Sequence, residues 1–160
     1  FLGHGFHGSL ARPGIALYGG TPSDAPDAGM QPVVRLDVRV VQTRSVPAGT
    51  RVGYGATYVA SAEMRLATLA AGYADGLPRS LGNTGAAYYA GVRLPIVGRV
   101  SMDSLTIDIS ALPPSTLRLG SMVGIIGPHQ SVEMIAADAG TISYEILTSL
   151  GRRYHRHYVV

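Results

Sequence analysis

From residue 33 onward, no stretch of this chain runs far before a glycine or proline interrupts it, and this punctuation limits its fold more than any other feature. Short runs bounded by Gly and Pro at roughly ten-residue intervals indicate many short strands that close into a β-barrel or sandwich. VVRLDVRVVQ (33–42) is the clearest run. Val34, Leu36, Val38 and Val40 fall on one face of a period-two strand, with Arg35, Asp37 and Arg39 on the other. VPAG (46–49) reads as a turn and RVGYGATYVA (51–60) as a glycine-broken strand or loop. RLATLAAGYA (65–74) reads as a buried strand running into a loop at ADGLP, although Leu and Ala also favour helix. AAYYAGVRLPIVGRV (86–100) predicts a hairpin turning at Ala90-Gly91; SLTIDIS (104–110) alternates, and LRLGSMVGIIG (117–127) predicts a further strand-pair element.

Two short helices are predicted late in the chain. In SVEMIAADAG (131–140), Val132, Ile135, Ala136 and Ala139 have helical spacing, Ser131 is the N-cap and Gly140 the stop. ISYEILTSLG (142–151) is capped at Ser143 and ended at Gly151, and RYHRHYVV forms a last strand. Upstream, GIALY is a short apolar run closed by Gly19-Gly20. TPSDAPDAGMQP (21–32) is the best linker, which places a boundary near residue 30 and divides the chain into 1–30 and 31–160.

Composition excludes several classes of function. There is no cysteine, which removes disulfides, thiolate metal sites and cysteine nucleophiles and fits a reducing cytoplasm. His4, His7, His129, His155 and His157 lack metal-ligand spacing with a carboxylate, so no metal is expected. The glycines form neither GxGxxG nor a Walker loop. The net charge of +3 is spread along the chain; the cluster of Arg152, Arg153 and Arg156 beside His155 and His157 reads as a solvated terminus, not a nucleic-acid patch. No apolar run reaches the roughly 20 residues that span a bilayer. FLGHGFHGSL lacks the basic flank and apolar stretch of a signal peptide. The absence of a starting methionine suggests a processed or truncated product.

Three motifs carry possible chemistry. In VGYGATY (52–58), glycines flank Tyr54 and permit close backbone approach. Read alone, Tyr54 is a tyrosine covering the core at a strand bend; read functionally, it is a phenol that exchanges a proton with a bound substrate. AGYADGLPRS (71–80) combines Tyr73 with Asp75, whose Asp-Gly pair alone is a turn signal. In GRVSMD (98–103), Met102 alone reads as a core residue, and Arg99 has Asp103 or Asp75 as possible partners.

Taken in order, ARPGIALYG (11–19), VGYGATY (52–58), GYADGLPR (72–79), PIVGRVSMD (95–103) and SYE (143–145) resemble the alanine racemase family, over nearly the whole chain. The resemblance implies a mainly β fold, a closed Greek-key-like β-barrel with two short helices. Before it, residues 1–30 would be a remnant of the end of an N-terminal (β/α)8 barrel plus linker. The implied activity is interconversion of L- and D-alanine by two-base proton transfer on a pyridoxal phosphate (PLP) aldimine, which supplies D-alanine for peptidoglycan. Tyr54 matches the catalytic acid/base. Met102 matches a residue whose backbone N–H touches the substrate carboxylate, with Asp103 supporting that corner, and Tyr73 and Arg99 match residues lining the path by which substrate enters. Arg12 matches the arginine at the pyridine nitrogen; Gly14, Ile15 and Tyr144 match residues that bind the cofactor phosphate. An arginine there makes PLP a weaker electron sink.

The family also implies a homodimer, with Tyr54 and Met102 serving the partner's site and Arg12, Gly14, Ile15 and Tyr144 their own. Yet the sequence contains no lysine at all, and nearly all of the family's barrel is missing from it, including the Schiff-base lysine. The expectation is a chain that is inactive alone and needs the N-terminal barrel, without nucleic-acid or membrane partners. Three other readings compete. A racemase of broader amino-acid specificity depends partly on residues the sequence lacks. A related PLP decarboxylase would place an acid/base cysteine here, where there is none. A non-catalytic β-barrel interaction module would leave Tyr54, Met102 and Tyr144 scattered, whereas a racemase puts Tyr54 and Met102 on one exposed face.

Overall fold

The computed structural model describes residue 5, residues 8–22 and residues 30–159. It is mainly β. Six strands form one antiparallel sheet: β1 (Leu36–Val46), β4 (Met64–Leu69), β5 (Ala86–Tyr89), β6 (Val92–Pro95), β7 (Leu105–Asp108) and β8 (Met122–Ile126), in the order β6-β5-β8-β1-β4-β7. The outer strands then meet. An Ile96–Ile107 bridge and the bond from the Val97 N–H to the Thr106 carbonyl (2.9 Å) join the end of β6 to β7, so the barrel is nearly closed. A short ribbon of β2 (Arg51–Val52) and β3 (Tyr58–Val59) stands apart from the sheet.

β1 sets the geometry. Its first half pairs with β8, from Leu36 opposite Ile126 to Arg39 opposite Met122. Its second half pairs with β4, from Val40 opposite Leu69 to Val46 opposite Met64, with a bulge between Val40 and Gln42. The alternation read from the sequence therefore holds only up to the bulge: Leu36, Val38 and Val40 are buried, Val34 half-buried, and residues 41–45 all exposed. A bulge inserts an unpaired residue and bends the strand, which breaks the inward-outward pattern. The main core lies inside the barrel, with Leu69, Leu94, Leu105 and Ile107 at its centre. Each contributes roughly 1.5–3 kcal/mol of burial. A second, smaller core of Val46, Val52, Ala60, Met64, Leu66 and Val97, with Tyr58 packed on it, anchors the β2–β3 ribbon.

Two helices cover the barrel: α1 (Val132–Ala139) and α2 (Ser143–Ser149), which send Val132, Ile135, Ala136 and Ile146 into the main core. The Ser131 hydroxyl accepts the Met134 N–H at 3.3 Å, and Gly140 ends α1 in the left-handed region. The apolar run GIALY folds as a 3-10 turn, Ile15–Tyr18. Three expectations need correction. α2 is capped at Ile142 without a side-chain bond and stops at Ser149, so Ser143 lies inside its first turn. Strand structure in 117–127 is confined to β8, because the Arg118 N–H bonds the Ser121 hydroxyl and closes a turn in front of it. Finally, the described part of RYHRHYVV is not a strand; Arg153 and Tyr154 turn back toward the body of the domain. Residues 23–29, most of the linker assigned above, lie outside the described residues, as do His4 and His7.

The 15–20 turn is seated on α1. The Thr21 N–H donates to Glu133 Oε1 at 2.9 Å, and Ile15 is buried beside Gly20. Partial burial works to raise the Glu133 pKa, but bonds from the Thr21 N–H, its own N–H, Ser131 and Ser143 outweigh it, so the carboxyl sits below its ordinary 4.5. A lowered folded-state pKa stabilises above the unfolded value and loses that contribution as pH falls through the folded one. The contribution of Glu133, measured by urea unfolding of the parent against Glu133→Gln across pH, should therefore be constant above about pH 5 and fall below about pH 4. It should be worth less than about 1 kcal/mol, since the group is part-exposed.

Candidate functional site

Three loops distant in sequence meet at one end of the barrel. The first, residues 53–57, is held above the small core by Val52 and Tyr58. It rests on the third, residues 98–103, through two facing glycines. Gly53 (φ +80) and Gly98 (φ +79) approach so closely that a Cβ on either would stand 2.9 Å from the other's Cα. Only glycine takes both that conformation and that approach without strain. Asn83 fixes the contact by accepting the Gly98 N–H at its side-chain oxygen, 2.6 Å away. The Arg99 guanidinium lies against Gly55, 3.2 Å from where a Cβ would be. Between these glycines Tyr54 projects into solvent, 73% exposed. The reading of Tyr54 as a core-covering residue is overturned.

The second loop, residues 72–76, locks onto the third from the other side. The Tyr73 N–H donates to the Ser101 carbonyl (3.0 Å) and the Ala74 N–H to the Met102 carbonyl (2.8 Å). Gly72 has room for nothing larger: a Cβ there would be 2.2 Å from the Ser101 oxygen. Met102 is 57% exposed and Tyr73 45%, so Met102 is not a core residue either. Arg99 and Asp103 are exposed as well. Tyr54, Tyr73, Arg99 and Met102 thus stand exposed on three loops, the first in contact with the third and the second hydrogen-bonded to it, while Tyr144 is on α2.

Sequence reasoning noticed Asp75 but missed its partner, Arg153. Asp75 is 4% exposed, accepts the Gly72 N–H at 2.9 Å and pairs with Arg153 Nε at 3.1 Å. Among the described residues the ion pairs are Arg35–Asp37 and Arg153–Asp75, so Arg99 takes neither of the partners open to it. Tyr154 lies beside this pair. Burial, reinforced by the Asp75 charge and opposed by Arg153, pushes its phenol well above the ordinary tyrosine range, and its buried hydroxyl has no bonding partner among the described residues. Asp-Gly reads locally as a turn and the arginine pair at 152–153 as a solvated end. Nothing short of the fold brings the two together across 78 positions.

A second group of residues lies near α1 and α2. Arg12 and Gly14 are exposed. Gly14 and Ile15 open the 3-10 turn, where the first N–H groups have no partner within the turn. Glu133 holds Thr21 just after this turn, and Tyr144, in the first turn of α2, is half-exposed. Unpaired backbone donors, a phenol and an exposed guanidinium form a donor set suited to a phosphorylated, nitrogen-containing ring. Gly76 connects the two groups: its backbone abuts Ser149 at the end of α2, and the Gly151 N–H bonds the Asp75 carbonyl at 3.1 Å. No group of three or more metal-ligating side chains occurs among the described residues, and no described helix is long and apolar enough to cross a membrane.

Residues 33–158 match the family model described as the alanine racemase C-terminal domain. The chain is 68% identical over 159 residues to a catabolic alanine racemase of Agrobacterium fabrum, covering 99% of this chain and 41% of that protein. It is 54% identical over 172 residues to an alanine racemase of Brucella canis, covering 99% of this chain and 43% of that protein. Among solved structures it resembles the alanine racemase of Bartonella henselae with covalently bound pyridoxal phosphate: TM-score 0.93, 45% identity, 99% of this chain and 44% of the other. The biosynthetic alanine racemase of Pseudomonas aeruginosa gives 0.86, 40%, 93% and 42%. The chain spans about two-fifths of the length of the curated relatives it matches.

Proposed function

The chain belongs to the alanine racemase family through its C-terminal domain, and from that premise we propose that it is the part of an alanine racemase that supplies one of two proton-transferring groups. Residues 31–160 are the β-domain, and 1–30 are the end of a cofactor-binding barrel with its linker. The observation that carries the proposal is the junction of the 53–57, 72–76 and 98–103 loops, which turns Tyr54 outward beside Arg99 and Met102. A phenol so exposed has no structural task here. It is free to reach a substrate held by a second subunit.

In this reading the Tyr54 hydroxyl takes a proton from, or returns one to, one face of the alanine Cα, and a base from outside this chain serves the opposite face. Moving the proton between faces inverts the centre with no net change in atoms. The Met102 N–H donates to the alanine carboxylate, while Tyr73 and Arg99 line the approach. Arg12 would hold the ring nitrogen of PLP; Gly14 and Ile15, through their backbone N–H groups, and Tyr144, through its hydroxyl, would hold the phosphate. PLP, when bound, supplies the electron sink that makes the Cα proton removable. The active form is a homodimer in the cytoplasm, with Tyr54 and Met102 facing the partner.

Residues 1–160 alone should hold no covalently bound PLP and racemise nothing. A coupled D-alanine assay and a visible absorption spectrum check this: activity, or the absorbance of covalently held cofactor, would refute the division of labour. Joined to a lysine-bearing barrel, the chain should be active, and a panel of amino acids then decides between alanine and a broader substrate range.

A further inference from the structure

Away from these loops, an open groove of about 500 Å³ lies beside the exposed second half of β1, lined by Thr43, Arg44 and Ser45, by Arg65, and by Ser115, Leu117, Arg118 and Leu119 around the turn before β8. No acidic side chain lines it. Asp108, on neighbouring β7, is engaged locally, accepting the Ser110 N–H at 2.8 Å. Among the described residues the ion pairs are elsewhere, so these arginines carry unneutralised charge.

Two of the guanidiniums are set in place by the backbone. Arg65 Nη2 donates to the Ser110 carbonyl (3.0 Å) and to that of Leu112, which leaves its Nε and Nη1 donors unused. Arg118 Nε donates to the Ser115 carbonyl at 3.2 Å, leaving both of its Nη groups. Holding a guanidinium by one edge reduces the entropy lost when the other edge binds an anion, and its fork matches phosphate oxygens. Arg39 adds to the field from the side, with its guanidinium next to Gly120 in the same turn. Ser45, directly opposite Arg65 in the β1–β4 register, offers a hydroxyl donor at the groove floor. The groove is larger than a phosphate, and Leu119, 76% exposed, gives its rim an apolar surface.

We propose that this groove binds a small phosphate monoester, with the phosphate between Arg65 and Arg118 and an apolar group against Leu119. It uses no residue of the proposed racemase site and stands or falls independently of it.

The test is titration of residues 1–160 with phenyl phosphate and inorganic phosphate, followed by amide NMR. Phenyl phosphate should shift the 43–45 and 115–119 resonances saturably, bind more tightly than inorganic phosphate, and weaken with added salt. Arg118→Gln should weaken it by about tenfold, the loss of one charge-assisted contact. Leu119→Ala should weaken phenyl phosphate alone, and Arg93→Gln, on the β5–β6 hairpin, neither ligand. These three side chains are exposed, so the variants should melt with the parent. No saturable shift, equal affinity in Arg118→Gln and parent, or binding of an oligonucleotide without phenyl phosphate would each overturn the proposal.

Discussion

Replacing Tyr54 by Phe in the complete racemase should lower kcat by roughly 10²- to 10⁴-fold in both directions, the range for loss of one positioned proton donor or acceptor. The side chain is 73% exposed, so its hydroxyl contributes little to the domain's own stability. The variant should unfold within about 0.5 kcal/mol of the parent, which separates lost chemistry from lost structure. The loss should also be one-sided. With the second base intact, one alanine enantiomer should still exchange its Cα proton for solvent deuterium without inverting, while the other should not. Proton NMR of alanine in deuterium oxide measures both. A kcat within twofold of the parent, or equal loss of exchange from both enantiomers, would remove Tyr54 from the reaction.

Gly76→Ala should be the most damaging single methyl in the site's scaffold. Gly76 sits at φ +97, and a Cβ there would lie 2.0 Å from the Ser149 carbonyl oxygen and 2.4 Å from its carbon. Both are backbone atoms of a helix end and cannot swing aside. Left-handed strain and overpacking together cost about 3 kcal/mol or more, which at this length lowers Tm by on the order of 10 °C. Gly49→Ala is the matched control, since Gly49 has φ +82 but nothing within 4 Å. It should show strain alone, about 1–2 kcal/mol. Calorimetry of the two variants yields the cost of the clash as the difference. If both melt alike, the 72–76 loop does not press on α2.

What the sequence made legible was local. The Ala90-Gly91 hairpin turn and the Ser131 and Gly140 caps each depend on a few neighbouring residues, and each is present. The alternation in β1 was readable until the bulge at Val41, which is set by where β8 stops and β4 begins to pair. Glycines around Tyr54 signalled a close approach but not its object, Gly98, which lies 45 positions away. Asp75 with Arg153, and Glu133 with Thr21, were hidden for the same reason: each joins residues whose local context suits a turn, a tail or a helix face. The tail after α2 had the composition of a strand, but the six-stranded sheet offers it no free outer edge where β6 and β7 have met.

The meeting of Gly53 with Gly98 has a kinetic consequence. Tyr54 is aimed only when Gly53 finds Gly98, 45 positions away. Loop-closure entropy is spent before such a contact returns anything, so the surface that carries Tyr54 belongs to the late, slow phase of folding. A nascent domain whose hairpins have formed but whose two glycines have not yet met has its tyrosine and nothing to point it with.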